Sequence, residues 1–201
     1  MPRRALLVID VQNVYFTGRL AIAHPDRSQS LERILAAMDA AQAAGIPVIV
    51  IQQGAPEGSP LMARGSEEWR LHPEVEARPR ALLLAKTLPG SFTGTELEAW
   101  LRERAIDTLS VVGYMSQNCV DATLRQAVHL GFATEYLHDA SGTLALANDA
   151  GSASAEEIHR VTCVVMQSRF AAVMNTETWL ALIATGAAAP RQNLLDSAKS
   201  S

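Results

Sequence analysis

Apolar runs and helical patterns alternate along the chain. Short runs of leucine and β-branched residues are typical of buried strands, and the longer segments between them have the period of amphipathic helices. We predict strands at residues 5–10, 47–52, 81–84, 108–113, 133–138 and 171–175. This alternation predicts a single-domain, three-layer α/β/α fold around a six-stranded parallel sheet, with the strand order 3-2-1-4-5-6.

The helical segments carry recognisable start and stop signals. We predict helices at residues 31–44, 96–104, 120–130 and 155–167. Capping boxes, in which a serine or threonine precedes a glutamate by three positions, are predicted at Thr95 with Glu98 and at Ser154 with Glu157. Gly45 and Gly131 end the first and third of these helices.

Residues 53–80 interrupt the alternation because glycine and proline recur throughout the segment. A loop of this length in a compact domain is usually functional, and Trp69 indicates that this one packs. We therefore predict that it forms part of a pocket wall. The predicted domain covers residues 1–186, and residues 187–201 form a tail that we expect to be frayed or bound to a partner.

The composition limits the classes of partner and the cellular location. The net charge of −4 comes from interspersed residues, so a nucleic-acid surface is not expected and a small molecule is the favoured partner. No run approaches the ~20 apolar residues that span a bilayer, and the N-terminal segment has no secretory cleavage pattern. With only two cysteines there is no disulfide framework, so we expect a cytoplasmic protein that binds no membrane.

Three chemically active residues stand near predicted strand ends. Asp10 closes the first strand, Lys86 follows the third, and Cys119 lies where the fourth gives way to a helical pattern. A thiol in a first helical turn lies near free backbone N–H groups and the positive end of the helix dipole, which favour thiolate. Each residue also has a simpler interpretation: a buried small apolar group for Cys119, a cap for Asp10 and an extended surface side chain for Lys86.

The predicted topology brings these residues together. Ligands of open parallel sheets bind beyond the carboxyl ends of the strands, where the strand order reverses. In the order 3-2-1-4-5-6 the first and fourth strands flank that crevice, so Asp10 and Cys119 face each other and Lys86 approaches from the third strand. The three residues then form a candidate catalytic triad.

The motifs around these residues resemble those of the isochorismatase-like cysteine hydrolases, which include nicotinamidases and N-carbamoylsarcosine amidases. The central motif is Gly-Tyr-Met-Ser-Gln-Asn-Cys-Val-Asp-Ala-Thr at residues 113–123. The opening motif is Leu-Val-Ile-Asp-Val-Gln-Asn at residues 7–13. Shorter matches occur at residues 58–60, 71–74, 91–97, 131–132 and 139–140, so the resemblance covers most of the chain.

The resemblance implies a role for each matched residue. Cys119 corresponds to the nucleophile, Asp10 to the general acid and base, and Lys86 to the third member of the triad. The bond between Tyr114 and Met115 corresponds to a non-proline cis peptide. The backbone N–H groups of Met115 and Cys119 correspond to the oxyanion hole.

The implied activity is hydrolysis of a C–N bond in a linear amide or carbamoyl compound through a thioacyl-enzyme. Such chemistry needs a strong nucleophile, a proton for the leaving amine and donors for the developing oxyanion. The alternatives are cleavage of a vinyl ether, as in isochorismatase, and a catalytically silent binding or interaction module. A dinucleotide or nucleotide binder is excluded by motif, because no Gly-x-Gly-x-x-Gly or phosphate-loop sequence is present.

Nicotinamidases bind a metal through an aspartate and histidines after the second strand, and this chain has Gln-Gln-Gly-Ala-Pro-Glu-Gly at residues 52–58 instead. We therefore expect no metal and no cofactor. The five histidines are scattered and offer no ligand pair at useful spacing: His24, His72, His129, His138 and His159.

Polar and aromatic residues near the motifs are candidates for substrate binding: Gln12, Phe16, Gln53, Trp69, Phe92 and Tyr114. Packing or turn roles are the alternative for each of them. Alanine-rich helix faces and the tail lead us to expect a homo-oligomer, either a dimer or a tetramer.

Overall fold

The protein is described by a computed structural model that covers residues 1–198; residues 199–201, the end of the predicted tail, lie outside the described part. The strands are β1 Arg4–Ile9, β2 Val48–Gln53, β3 Leu82–Lys86, β4 Thr108–Tyr114, β5 Ala133–Gly142, β6 Leu146–Asn148, β7 Gly151–Ala153 and β8 Ala172–Met174. The helices are α1 Arg27–Ala43, α2 Pro73–Glu76, α3 Leu97–Glu103, α4 Asp121–His129, α5 Ala155–Val165, α6 Thr176–Thr185 and α7 Leu194–Ser197.

Six parallel strands form the central sheet in the order β3-β2-β1-β4-β5-β8. This order confirms the predicted architecture, with β8 as the sixth strand. The short hairpin β6–β7 is a separate antiparallel unit that the sequence pattern did not predict.

The core lies on both faces of the sheet. In β1, Leu6 and Val8 pack into one apolar cluster with α1 and α6, whereas Leu7 and Ile9 pack into the other with α3 and α4. Because β1 is buried on both faces, its sequence is continuously apolar, as expected for a central parallel strand. No helix within residues 1–198 is long and apolar enough to cross a membrane.

Several predicted local features differ from the structure. The third strand is an edge strand with alternating exposure, so Leu83 faces solvent, and the strand extends to Lys86. Thr95 is not part of a capping box, because its hydroxyl donates to the carbonyl of Ser91 and α3 begins after Glu96. The capping box of Ser154 with Glu157 is confirmed.

The boundaries of α1 and the structure of the long loop can be compared with the predictions. α1 begins at Arg27, four residues before the predicted start, because the Asp26 carboxylate accepts bonds from the backbone N–H groups of Ser28 and Gln29. After Gln53, the last residue of β2, the segment up to residue 80 contains one named element, the one-turn helix α2, as its glycine and proline content indicated. The boundary between the predicted domain and tail stays a prediction.

A buried ion pair joins the amino ends of β1 and β5, at the edge of the sheet opposite Asp10. The Arg4 guanidinium donates to both carboxylate oxygens of Glu135 at 2.8–3.1 Å, and each side chain is 3% exposed. The hydroxyl of Ser110 and the indole N–H of Trp179 also donate to this carboxylate. The network satisfies a charged group that would otherwise be costly to bury.

We expect Glu135→Leu to lower the free energy of unfolding by about 3–5 kcal/mol, because Arg4 is left as an uncompensated buried charge. The double variant Arg4→Met/Glu135→Leu should recover most of this loss. Urea unfolding of both variants measures the difference. A double variant no more stable than Glu135→Leu would contradict the assignment of the loss to the unpaired charge.

Candidate active site

Asp10, Lys86 and Cys119 converge at the carboxyl edge of the sheet. Asp10 follows β1 directly, Lys86 is the last residue of β3, and Cys119 lies in a π-helical turn, Ser116–Val120, between β4 and α4. Their exposed fractions are 0%, 2% and 4%. The predicted topology therefore brings the three residues together, and all three are withdrawn from bulk solvent.

The ammonium group of Lys86 has three close oxygen neighbours. Its Nζ lies 2.7 Å from Asp10 Oδ2, 2.7 Å from Gln53 Oε1 and 3.3 Å from the carbonyl oxygen of Leu88. Gln53 is paired with Lys86 in the register of β2 and β3. The last residue of β2 therefore supplies the side-chain oxygen that holds the lysine next to Asp10. Two of these contacts are hydrogen bonds and the one to Asp10 is an ion pair, and together they fix the position of the charge.

The backbone at the end of β1 has an unusual conformation at Asp10 and a close approach to β4. Asp10 has φ of 52°, a left-handed conformation that non-glycine residues adopt at a cost. Gly113 pairs with Ile9 across β1 and β4, and a Cβ atom on Gly113 would lie 2.0 Å from the Ile9 carbonyl oxygen. Only glycine allows the two strands to approach so closely at this point.

Burial and neighbouring charges set the protonation of the site. Desolvation raises the pKa of Asp10, and the Lys86 charge and the Cys119 thiol oppose that rise. Desolvation, followed by the charge of Asp10, raises the pKa of Cys119 to about 12, and Lys86 opposes that rise as well. At neutral pH the Cys119 side chain is therefore a thiol, because burial outweighs the effect that the helix terminus was expected to have.

The turn that carries the thiol begins after a cis peptide bond between Tyr114 and Met115, as the motif resemblance implied. The Met115 carbonyl accepts bonds from the N–H groups of Asn118 and Val120, which closes the turn around Cys119. The oxyanion role of the Met115 and Cys119 N–H groups stays a prediction.

Gln12 and Gln53 organise the site wall. The Gln12 amide is buried, donates to the backbone carbonyls of Gln53 and Trp69, and accepts from the Gln53 N–H. This clamp ties the loop of residues 53–80 to the end of β1. Gln53 itself holds Lys86, so the contacts of both glutamines are with protein groups, and a role in substrate binding stays a prediction for each.

The aromatic candidates differ in their burial and in their contacts. Phe16 is partly buried and packs against His72 with the two rings tilted by 50° and their centres 4.4 Å apart. Tyr114 is fully buried, and its hydroxyl lies 2.7 Å from the Ser30 hydroxyl. Phe92 stacks on Phe132 within the core on the α3 and α4 side.

Trp69 is partly buried and lines a cavity together with Arg70 and Leu71. Of the aromatic candidates, Phe16 and Tyr114 contact each other, with ring centres 5.7 Å apart. Substrate binding by any of the four aromatic residues stays a prediction.

A second group of reactive side chains was missed in the sequence. His138 on β5 meets His159 and Cys163 on α5, and His24 lies beside them with its ring centre 5.5 Å from that of His159. The signal available was the four-residue spacing of His159 and Cys163, which places both on one helix face. Cys163 is partly exposed and lines a cavity, rather than being a fully packed core residue.

A family model for the isochorismatase domain matches residues 4–178 of the chain. The chain is 32% identical to an uncharacterised isochorismatase family protein, YddQ, from Bacillus subtilis, over 88% of this chain and 98% of that protein. It is 35% identical to a streptothricin hydrolase of Streptomyces noursei over 70% of this chain and only 50% of that enzyme. It is 31% identical to the ureidoacrylate amidohydrolase RutB of Agrobacterium fabrum, over 68% of this chain and 75% of that enzyme.

Solved structures show the same fold. A crystal structure of an isochorismatase-type protein from Burkholderia xenovorans LB400 superposes with a TM-score of 0.96 at 56% identity, over 98% of this chain and 94% of that chain. N-carbamoylsarcosine amidase from Thermoplasma acidophilum superposes with a TM-score of 0.71 at 22% identity, over 88% and 98% of the two chains. The latter likeness concerns the fold alone.

Proposed function

We propose that this chain, which belongs to the isochorismatase family, is a cysteine hydrolase that cleaves a C–N bond of a small amide or carbamoyl compound through a thioacyl-enzyme. The observation that carries the proposal is the buried ion pair of Asp10 and Lys86, which lies beside the Cys119 thiol. Relatives named as a streptothricin hydrolase and a ureidoacrylate amidohydrolase support a C–N bond as the target.

Acylation starts from the neutral thiol. The Cys119 sulfur attacks the substrate carbonyl carbon while the Asp10 carboxylate takes the thiol proton, so no free thiolate has to accumulate. The negative oxygen of the tetrahedral intermediate is held by the N–H groups of Met115 and Cys119. When the C–N bond breaks, Asp10 passes its proton to the departing nitrogen, which leaves as the neutral amine.

Deacylation uses the same groups with water as nucleophile. Asp10, again a carboxylate, accepts a proton from water as the water oxygen attacks the thioester carbon. Collapse of the second tetrahedral intermediate breaks the C–S bond, and the proton on Asp10 returns to the sulfur of Cys119. The products are an amine and a carboxylic or carbamic acid, and the enzyme regains its thiol.

Lys86 keeps Asp10 in the carboxylate form that accepts a proton. We expect Lys86→Met to lower kcat by about 10²-fold or more, the scale typical for loss of one preorganised electrostatic group. Without the cation the pKa of Asp10 should rise further, so the acid limb of the pH–rate profile should move to higher pH. Steady-state rates across pH measure both effects.

Arg33→Met is the matched control, because it removes an exposed positive charge from α1 and leaves the site intact. It should keep both the rate and the pH profile of the wild type. An acid limb that stays in place in Lys86→Met would remove Lys86 from the proposed mechanism.

The reaction class is tested with a panel of linear amides, carbamoyl compounds and the vinyl ether isochorismate, with intact-mass analysis of quenched enzyme. We expect turnover of a C–N substrate and a mass increase on Cys119 equal to its acyl group. Turnover of isochorismate alone without an adduct would support the vinyl ether alternative. An absence of turnover across the panel would favour a silent binding module.

A homo-oligomer is proposed as well, on the basis of exposed apolar residues on α5 and α7. Val161 and Val164, one turn apart on α5, are 50% and 61% exposed, and the adjacent residues Leu194 and Leu195 on α7 are 57% and 84% exposed. Exposed apolar side chains grouped in this way are a mark of protein–protein contact. Light scattering coupled to size-exclusion chromatography should give a mass of two or four chains. A monomeric mass at micromolar concentration would contradict this proposal.

A further inference from the structure

A cavity of about 640 Å³ lies between β5, β8 and α5, and three potential metal ligands meet on its wall. One ligand atom from each of His138, His159 and Cys163 lies within 4.8 Å of the other two. Two imidazole nitrogens and a thiolate sulfur are the donor set that Zn²⁺ and similar divalent transition metals prefer. Zinc bonds to nitrogen and sulfur are about 2.0–2.3 Å long, so binding one ion would draw these atoms closer together than their present limit of 4.8 Å.

His159 has the arrangement of a metal ligand before any metal binds. The residue is 5% exposed, and its Nε2 atom is buried with no hydrogen-bond partner among the described residues. A buried polar nitrogen without a partner is costly and therefore rare. A cation in the cluster would satisfy it.

The opposite nitrogen of His159 is fixed by a chain of hydroxyl groups. The Ser141 hydroxyl donates its one hydrogen to the Gly113 carbonyl. Ser141 can therefore only accept from Ser116, and the two hydroxyl oxygens are 3.2 Å apart. In the tautomer that a metal-bound Nε2 requires, Ser116 Oγ accepts the Nδ1–H of His159 at 2.7 Å. This tautomer leaves the lone pair on Nε2, which is the usual arrangement of a metal-bound histidine supported by an outer oxygen.

We propose that His138, His159 and Cys163 bind a divalent transition-metal ion, with zinc as the best match, and that the fourth coordination position opens into the cavity. On binding, the Cys163 thiol loses its proton to solvent and the sulfur forms a bond to the metal. The ion joins α5 to β5. The His159 ring lies between the ion and Ser116, the first residue of the turn that carries Cys119.

This site is distinct from the candidate active site. Asp10, Lys86 and Cys119 contribute no ligand to the cluster, and the cluster contains the other of the two cysteines in the chain. The mechanism proposed above needs no metal. Binding at the cluster is therefore separable from catalysis by mutation.

Cobalt(II) titration of the metal-free full-length protein tests the proposal, because thiolate coordination produces a near-ultraviolet charge-transfer band. We expect one cobalt ion per chain with that band, and displacement by zinc. Cys163→Ala should abolish the band, whereas the matched variant Cys119→Ala should keep it. A band lost in Cys119→Ala and retained in Cys163→Ala would place the metal at the catalytic thiol and overturn the proposal.

Zinc affinity is measured in parallel by competition with a chromophoric chelator. His159→Gln should weaken binding by more than about 100-fold, the upper end of the effect of losing an outer-shell partner. His129→Gln, at an exposed histidine on α4, should bind as the wild type does. Zinc should also raise the thermal unfolding midpoint of the wild type but not of Cys163→Ala, which itself must unfold cooperatively. Equal affinities for the two histidine variants, or no stoichiometric binding by the wild type, would overturn the proposal.

Discussion

Cys119→Ala is expected to abolish turnover of the C–N substrate found with the panel. The substitution removes the sulfur that forms the thioester, and the other hydroxyl of the turn, that of Ser116, is engaged with His159 Nδ1 at 2.7 Å. Because Asp10, Lys86 and the backbone of the turn are kept, the variant should still bind substrate. Isothermal titration with intact substrate measures binding, and a product assay measures turnover.

Cys163→Ala is the matched control for this experiment, because it removes the other thiol at a position outside the Asp10–Lys86 pair. It should retain catalysis and still form the acyl adduct. The contradicting outcome has two parts: Cys119→Ala keeps a measurable fraction of the wild-type rate, and the wild type forms no acyl adduct. Water rather than sulfur would then be the attacking group, and the thioacyl mechanism would be wrong.

Asp10→Asn is expected to slow both acylation and deacylation by ~10²–10⁴-fold, the usual weight of general acid and base catalysis. The amide keeps the shape of the carboxylate but cannot accept a proton from a thiol whose pKa is about 12. Single-turnover measurement of adduct formation and adduct decay separates the two steps. Both rates should fall.

The pH profile distinguishes this catalytic role from a structural one. Protonation of Asp10 in the wild type should give an acid limb in kcat/KM, because only the carboxylate accepts the proton, and that limb should be absent in Asp10→Asn. Adding Asp10→Asn to Cys119→Ala should cost little more than Cys119→Ala alone, since residues that act as a unit are not additive. A near-normal amidase rate in Asp10→Asn would make Asp10 a structural cap.

The amino-acid sequence by itself determined the architecture and the edge of the sheet that carries the site. The continuous apolar runs at β1, β2 and β4 and the helical periods between them specify parallel strands with crossover helices. Asp10 and Cys119 could be placed because the carboxyl ends of parallel strands all lie at one edge. These inferences depend on periodicity and handedness, which are local properties of a chain.

Features that depend on long-range packing could not be predicted in the same way. From the sequence, Lys86 could be a surface lysine. Only the folded structure shows that the Gln53 side chain and the Leu88 carbonyl accept hydrogen bonds from it beside Asp10. The neutral state of Cys119 results from the sum of desolvation and two opposite charges, whereas sequence position reports only the helix terminus. Gln12 looked like a substrate contact, and its clamp on the loop of residues 53–80 is visible only after folding.

The cluster of His138, His159 and Cys163 also depends partly on local sequence and partly on tertiary packing. The four-residue spacing on α5 is readable from the sequence, so two ligands on one helix face could have been predicted. The third ligand comes from β5, and the bond from Ser116 that fixes His159 comes from a turn 43 residues earlier. Local periodicity determines which face of an element a side chain occupies, and only the packing of helix on sheet decides which faces meet.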